Sequence, residues 1–243
     1  MENYVLINGV TKTFPNNFKA LDQLDLSINQ GEIFALLGPN GAGKTTTQRM
    51  VSTVFLPSKG DIIVNGNNVK TDPAKVRKSI GFLPTEVGLY DRLTAKEVVK
   101  YFGILNDLDE QEIDRRIEKL FEKLALTEYT NKRCSKLSRG NKQKVAIARA
   151  IIHEPPVLIF DEPTSGLDVL SSRAVLDFIK QCKTEGKTIL YSSHLMNEAE
   201  EICDKIGIIH NGRILRTGSV NELVREYGKL ENVFISSVKG EKS

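Results

Sequence analysis

The 243-residue sequence predicts an α/β fold in which a mostly parallel sheet carries helices on its faces. An antiparallel β layer and an inserted α-helical block complete it. Three observations predict this. A glycine-rich loop, Gly38 to Thr45, stands between the apolar run Ile33-Phe34-Ala35-Leu36-Leu37 and a helix-compatible stretch to Val51. The runs Val157-Leu158-Ile159-Phe160 and Thr188-Ile189-Leu190-Tyr191 are continuously apolar, as buried parallel strands require. Between Thr94 and about Leu126 the hydrophobic period changes to steps of three and four residues, which is helical.

Each element follows in order. Tyr4-Val5-Leu6-Ile7 and Leu24-Asp25-Leu26-Ser27-Ile28 read as strands, punctuated by Asn8-Gly9 and Gln30-Gly31. Gly60-Asp61-Ile62-Ile63-Val64 is a strand running into a tight Asn65-Gly66 turn. Val98, Tyr101, Phe102 and Leu105, then Ile113, Ile117, Leu120 and Leu124, form the buried stripes of amphipathic helices. Glu110, Arg115 and Lys119 mark the solvated face. Gly207 to Gly218 predicts two short strands, closed by a helix reaching Tyr227. The whole chain reads as a single domain, with 1–85 and 151–243 forming the α/β core and β layer and 86–150 the helical subdomain.

Composition narrows the function. Forty per cent hydrophobic and 27% charged residues is the balance of a folded globular protein. A net charge of +3 gives no reason to expect a nucleic-acid partner. No stretch approaches the roughly 18 apolar residues that span a bilayer. Met1-Glu2-Asn3-Tyr4 lacks the basic and apolar regions of a signal peptide. Cys134, Cys182 and Cys203 are odd in number and far apart, so they read as structural thiols in a reducing cytoplasm.

The chemistry begins at the loop. Gly38-Pro39-Asn40-Gly41-Ala42-Gly43-Lys44-Thr45 fits G-x-x-x-x-G-K-[ST] in its strand–loop–helix context, the P-loop that cradles nucleotide phosphates. Glycines expose backbone N–H groups, and the helix adds its positive end. Lys44 is expected to reach the β- and γ-phosphates, Thr45 to hold Mg²⁺, and Thr46 to join the phosphate contacts. The core is therefore expected to be that of a P-loop NTPase, RecA-like. Asp161, at the end of a buried strand, is placed to hold Mg²⁺ partly through water. Glu162 beside it is placed to polarise an attacking water.

Leu137-Ser138-Arg139-Gly140-Asn141 lies upstream, with Ser138 an N-cap for the helix that follows. Leu-Ser-x-Gly before such a strand resembles the signature motif of the ATP-binding cassette (ABC) ATPases. The similarity extends to Ser165-Gly166-Leu167-Asp168, which resembles the D-loop, and to His194, which resembles the switch histidine. Phe14 resembles the aromatic that stacks on adenine. The resemblance implies that Ser138 and Gly140 face the γ-phosphate held by another subunit, with Asp168 and Phe14 among the nucleotide contacts. It also implies catalytic roles for Glu162, His194 and Lys44, and ATP and Mg²⁺ as cofactors. The implied partners are a second copy, head to tail, and a separate membrane permease that holds the chain on the inner face of the cell membrane.

Two motifs depart from the family pattern. Thr85, in Pro84-Thr85-Glu86, replaces the usual glutamine, and Ser138-Arg139-Gly140-Asn141 stands where the pattern is Ser-Gly-Gly-Gln. Arg139 must either point away from the nucleotide or clasp it. His153-Glu154-Pro155-Pro156 and Gly88-Leu89-Tyr90-Asp91-Arg92-Leu93-Thr94 are most like the sodium-extruding, NatA-type members. The alternative is a soluble ABC ATPase without a transport role, though translation types carry two cassettes and repair types a long coiled coil. A GTPase would need Asn-Lys-x-Asp, and Asn141-Lys142-Gln143-Lys144 lacks the aspartate.

Overall fold

The computed structural model describes residues 3–241, so Met1 and Glu2 of the stretch compared with a signal peptide lie outside it. Two sheets organise the chain. The first is antiparallel: β1 (Asn3–Thr13), β2 (Lys19–Asn29), β4 (Lys59–Val64) and β5 (Asn67–Asn68), in the order β2-β1-β4-β5. Asn65 and Gly66, both at positive φ, make the tight turn between β4 and β5 that the sequence predicts.

Asn8-Gly9 behaves differently from its sequence reading. It does not end β1. The register to β2 shifts between Ile7 and Val10, Gly9 takes φ +55°, and its N–H donates to Asp25 Oδ1 at 2.7 Å. The dipeptide is a bulge that bends a long strand, because its polar groups find partners without a reversal of the chain.

The second sheet has six strands. They are β10 (Arg213–Ser219), β9 (Lys205–His210), β3 (Ile33–Leu37), β8 (Thr188–Ser193), β7 (Val157–Asp161) and β6 (Ile80–Leu83), in that spatial order. All pairs are parallel except β9 with β10. Every residue of β3, β7 and β8 is buried, which accounts for their unbroken apolar runs. Alternation divides β3 between two cores. Ile33, Ala35 and Leu37 pack with the helical side, while Phe34 and Leu36 pack with Val5, Leu21 and Met50 beneath the antiparallel layer.

Helices α1 (Lys44–Val51) and α2 (Pro73–Ser79) precede β6. Between β6 and β7, where the sequence predicts a helical block, lie α3 (Ala95–Leu105), α4 (Glu110–Lys123) and α5 (Arg139–Ile151). Thr94 and Glu97 close a capping box on α3, and Asp109 caps α4. Then come α6 (Val169–Thr184), α7 (Met196–Ile202), α8 (Val220–Tyr227) and α9 (Leu230–Glu241). The sequence reading missed α9. Gly228 at φ +82° breaks the chain after α8, and only a narrow stripe of α9, including Leu230 and Val233, is buried.

Register sets the functional edge. Leu37 pairs with Ser193, Asp161 with Ser192, and Leu83 with Phe160. The C-terminal ends of β3, β8, β7 and β6 therefore lie level. The Gly38 loop, His194, Glu162 and Thr85 all leave the sheet at one edge, where open α/β sheets bind ligands.

Candidate nucleotide site

The loop between β3 and α1 is shaped by its glycines. A Cβ on Gly38 would lie 2.2 Å from Ile209 O, and one on Gly43, at φ +115°, would lie 2.6 Å from Leu21. Neither position admits a side chain. The N-terminus of α1 has no side-chain cap and no acidic residue in its first turn, so its N–H groups remain free to bind an anion. The Lys44 ammonium, 4% exposed, donates to Gly38 O at 2.7 Å and Pro39 O at 3.2 Å, and lies 3.2 Å from Glu162 Oε1. Pro39, Asn40, Gly41, Gly43, Lys44, Thr45 and Thr46 line one side of a cleft of about 540 Å³. Thr85, Glu162, Ser165, Ala20 and Phe18 complete it. Gly38 and Ala42 stand behind this surface, Ala42 buried with its N–H on Pro39 O at 3.2 Å.

Asp161 is almost fully buried at the end of β7, and three hydroxyls converge on its carboxylate. Thr45 and Ser192 donate to Oδ1 at 3.2 and 2.7 Å, and Thr85 donates to Oδ2 at 2.7 Å. Glu162 has φ +49°, a left-handed conformation that is costly for a residue with a Cβ. Its N–H is held at 3.1 Å from Ser192 Oγ, and its Oε2 lies 3.2 Å from His194 Nδ1. The Glu162 carboxylate thus stands between a cationic Lys44 and an imidazole, open to the cleft. Behind it, Thr164 and Tyr191 both donate to the buried Glu198 Oε2, at 2.8 and 2.6 Å. Burial, then the Glu198 charge, push the Tyr191 phenol well above its ordinary range, so it stays a proton donor to that carboxylate.

Four expected site residues lie outside this chain's cleft, Ser138 and Gly140 among them being expected at the nucleotide of another subunit. The Phe14 ring stands edge-on to Phe55, with centroids 5.6 Å apart, under the Lys12 ammonium. The aromatic that lines the cleft is Phe18, 57% exposed, because the turn carries residue 18 back beside the loop: Phe14 N–H bonds Phe18 O at 2.9 Å. Asp168 caps α6, accepting from Ser171 N at 2.9 Å and Ser171 Oγ at 2.6 Å. Those bonds hold its carboxyl below the usual range. Ser138 caps α5 through Asn141 N at 3.2 Å. A Cβ on Gly140 would lie 2.3 Å from Ser171 Oγ, so this glycine lets α5 approach α6. None of the four lines the cleft of its own chain.

Ser192, Glu198 and Phe18 escaped the sequence reading. The serines closing Tyr191-Ser192-Ser193 are a usable signal, since a polar pair at the end of an apolar strand needs partners. Glu198 has no such signal. The three thiols are buried, and burial pushes each up, Cys182 to about 12, as structural cysteines require.

The donor set suits its expected cofactors. Hard oxygen donors from Asp161 and Thr45, beside uncapped loop amides, match Mg²⁺ shared between protein and phosphate. Among the described residues no cluster of three or more His, Cys, Asp or Glu forms a metal cage, which such sharing does not need.

Comparison with known proteins agrees with this geometry. A family model described as ABC transporter matches residues 21–165. The ABC transporter ATP-binding protein NatA of Bacillus subtilis (strain 168) is 47% identical over 206 residues, 84% of each chain. A solved ATP-binding subunit of an ABC transporter superposes with a TM-score of 0.87 at 30% identity, covering 97% of this chain and 99% of the other. The ATP-binding cassette MJ0796, solved as a dimer in a post-hydrolysis state with ADP and Pi, gives 0.81 at 27% identity, over 89% and 98% of the two chains. This chain belongs to the ABC transporter family, as an ATP-binding and ATP-hydrolysing subunit that powers transport through a separate permease.

Proposed function

We propose that this chain drives sodium export, closing head to tail on a second copy around two Mg²⁺–ATP, at the cytoplasmic face of a membrane permease. The 47% identity to NatA carries the choice of cargo class. Lys44, the loop amides from Gly38 to Gly43, and Thr45 and Thr46 hold the phosphates. Thr45 and Asp161 hold Mg²⁺, which supplies charge neutralisation on the phosphate oxygens. Glu162 takes the proton of the attacking water, and His194, hydrogen-bonded to it, orients the carboxylate.

The head-to-tail pairing is supported by what the cleft lacks. Ser138 and Gly140 do not line it, which fits a second copy bringing them. Val169 and Leu170, 85% and 82% exposed at the start of α6, give that copy an apolar contact. For the permease, the supporting surface is Tyr90, Tyr101, Ile104 and Leu105, all about half exposed, on and beside α3; Tyr101 and Leu105, expected in the buried stripe, are not buried by any neighbouring element. Tyr90 follows Thr85 by five residues, so a partner there is joined to Asp161 through one loop. Among the described residues no helix is long and apolar enough to cross a membrane.

The experiment is to search the neighbouring reading frames for a multi-span protein, co-express it with the chain and reconstitute the complex in vesicles. ATP-dependent sodium movement is the expected result. A complex that hydrolyses ATP and leaves sodium still would remove the cargo and keep the ATPase.

A further inference from the structure

Arg139 is the first residue of α5, where the positive helix end disfavours a cation and no acidic residue of the first turn offsets it. Its position is explained by what it touches. Arg139 Nη2 donates to Ser165 O at 3.0 Å. A Cβ built on Gly166 would lie 2.3, 2.4 and 2.6 Å from Nη2, Cζ and Nη1, so the planar guanidinium lies over the bare face of that glycine. Gly166 has φ +68°, so the turn itself favours glycine. Two neighbours on α5 grip the same segment. Gln143 Nε2 donates to Pro163 O at 2.7 Å, and Gly140 allows the close approach of Ser171. The clasped segment begins directly after Glu162, is tied back to it by Ser165 N–H on Glu162 O at 3.1 Å, and places Ser165 in the cleft wall.

We propose that Arg139 is a positioning residue that locks Ser165–Asp168 to the start of α5. The surface offered to the second copy, Ser138 to Gly140 and Val169-Leu170, and the wall of the chain's own cleft then move as one body. Closure at one ATP is thereby transmitted to the other. This rests on the head-to-tail reading above. Of the two courses open to Arg139 in the sequence, the clasp on its own chain is the one that points away from the nucleotide.

The first arm of the test needs neither ATP nor a dimer. Amide hydrogen exchange at Ser165 and Leu167 in the nucleotide-free protein should quicken about tenfold in Arg139→Ala, as a local clasp opens. Unchanged exchange overturns the proposal. The second arm is steady-state hydrolysis. Arg139→Ala should lower kcat about tenfold with KM for ATP within about twofold, the size that coupling between neighbours reaches. Gly166→Asn tolerates the left-handed turn but fills the guanidinium's seat, so it should give the same loss, with nothing added in the double variant. Arg139→Lys should not recover the rate, because an ammonium cannot lie flat on a glycine. Recovery by lysine, or a harmless Gly166→Asn, would mean that Arg139 works through charge, and overturns positioning. A wild-type chain without ATPase activity would instead sink the functional reading while leaving the exchange result standing.

Discussion

Thr85 donates its hydroxyl to Asp161 Oδ2 at 2.7 Å, while Thr45 reaches Oδ1 of the same carboxylate at 3.2 Å. One buried carboxylate therefore joins the loop after β6 to the phosphate-binding helix. The side chain that stands where the resemblance leads one to expect glutamine contacts the buried aspartate directly. Tyr90, on the surface suited to the permease, is five residues further along the same loop.

Replacing Thr85 tests that link. Thr85→Gln restores a longer amide that cannot keep the 2.7 Å bond in the same pose. The basal ATPase rate should change by no more than about tenfold, since a single hydrogen bond is worth roughly 0.5–1.5 kcal/mol net. Stimulation by the permease should change more. Equal effects on basal and stimulated rates, measured on the reconstituted complex, would count against coupling through this loop.

Glu162→Gln keeps shape and hydrogen bonding but removes the proton acceptor. Turnover should fall by roughly 10²–10⁴-fold, the range of a general base. ATP affinity should hold within a few-fold, because the loop amides and the Lys44 bonds to Gly38 O and Pro39 O are kept and only the Lys44–Glu162 ion pair is altered. Light scattering should then show an ATP-dependent dimer that Ser138→Arg abolishes. Full hydrolysis by the variant would remove Glu162 from the mechanism.

Base stacking should follow Phe18 rather than Phe14. Stacking on an aromatic is worth about 1–3 kcal/mol in nucleic-acid settings, so Phe18→Ala should weaken ATP binding by about fivefold or more. Phe14→Ala should mainly lower thermal stability, through loss of the Phe55 contact. Titration calorimetry with ATP separates them, and a larger affinity loss in Phe14→Ala would return the role to Phe14.

His153 gives a pH dependence of stability. Its Nε2–H donates to Ile80 O at 2.9 Å, and burial, foremost, drives its pKa below the ordinary 6.5. The unfolded chain therefore binds a proton at a pH where the folded chain resists it. Stability is lost as pH falls through about 6.5 and stops falling, for this group, below the folded value. His153→Gln keeps an N–H for Ile80 but cannot titrate. The gap in melting temperature between wild type and variant should shrink from pH 7 to pH 5, and a constant gap would refute the assignment.

Much of this protein was legible in its residues because the signals are local. Gly38 to Thr45 reads as a phosphate loop since backbone curvature, N–H exposure and the helix start all lie within eight neighbours. Val157 to Asp161 reads as a buried strand because unbroken apolarity has one simple explanation. Ser138 reads as a helix start because a cap bonds an amide three residues on, as Thr94 and Asp109 also do in the structure. Asn8-Gly9 misled because a bulge and a turn share the same dipeptide, and the choice lies in a partner strand and Asp25.

The sequence by itself determined the fold class, the phosphate loop and the carboxylate pair, since each rests on contacts between near neighbours in the chain. Only the tertiary structure decided which ring lines the cleft, that Thr85 holds Asp161, that Glu198 braces the loop behind Glu162, and that Arg139 lies on Gly166. These pairs stand 27 to 76 residues apart in the chain, or depend on a turn that a string does not display. Their geometry is set by strand order and register, which come from packing the two faces of one sheet against two cores rather than from any local preference.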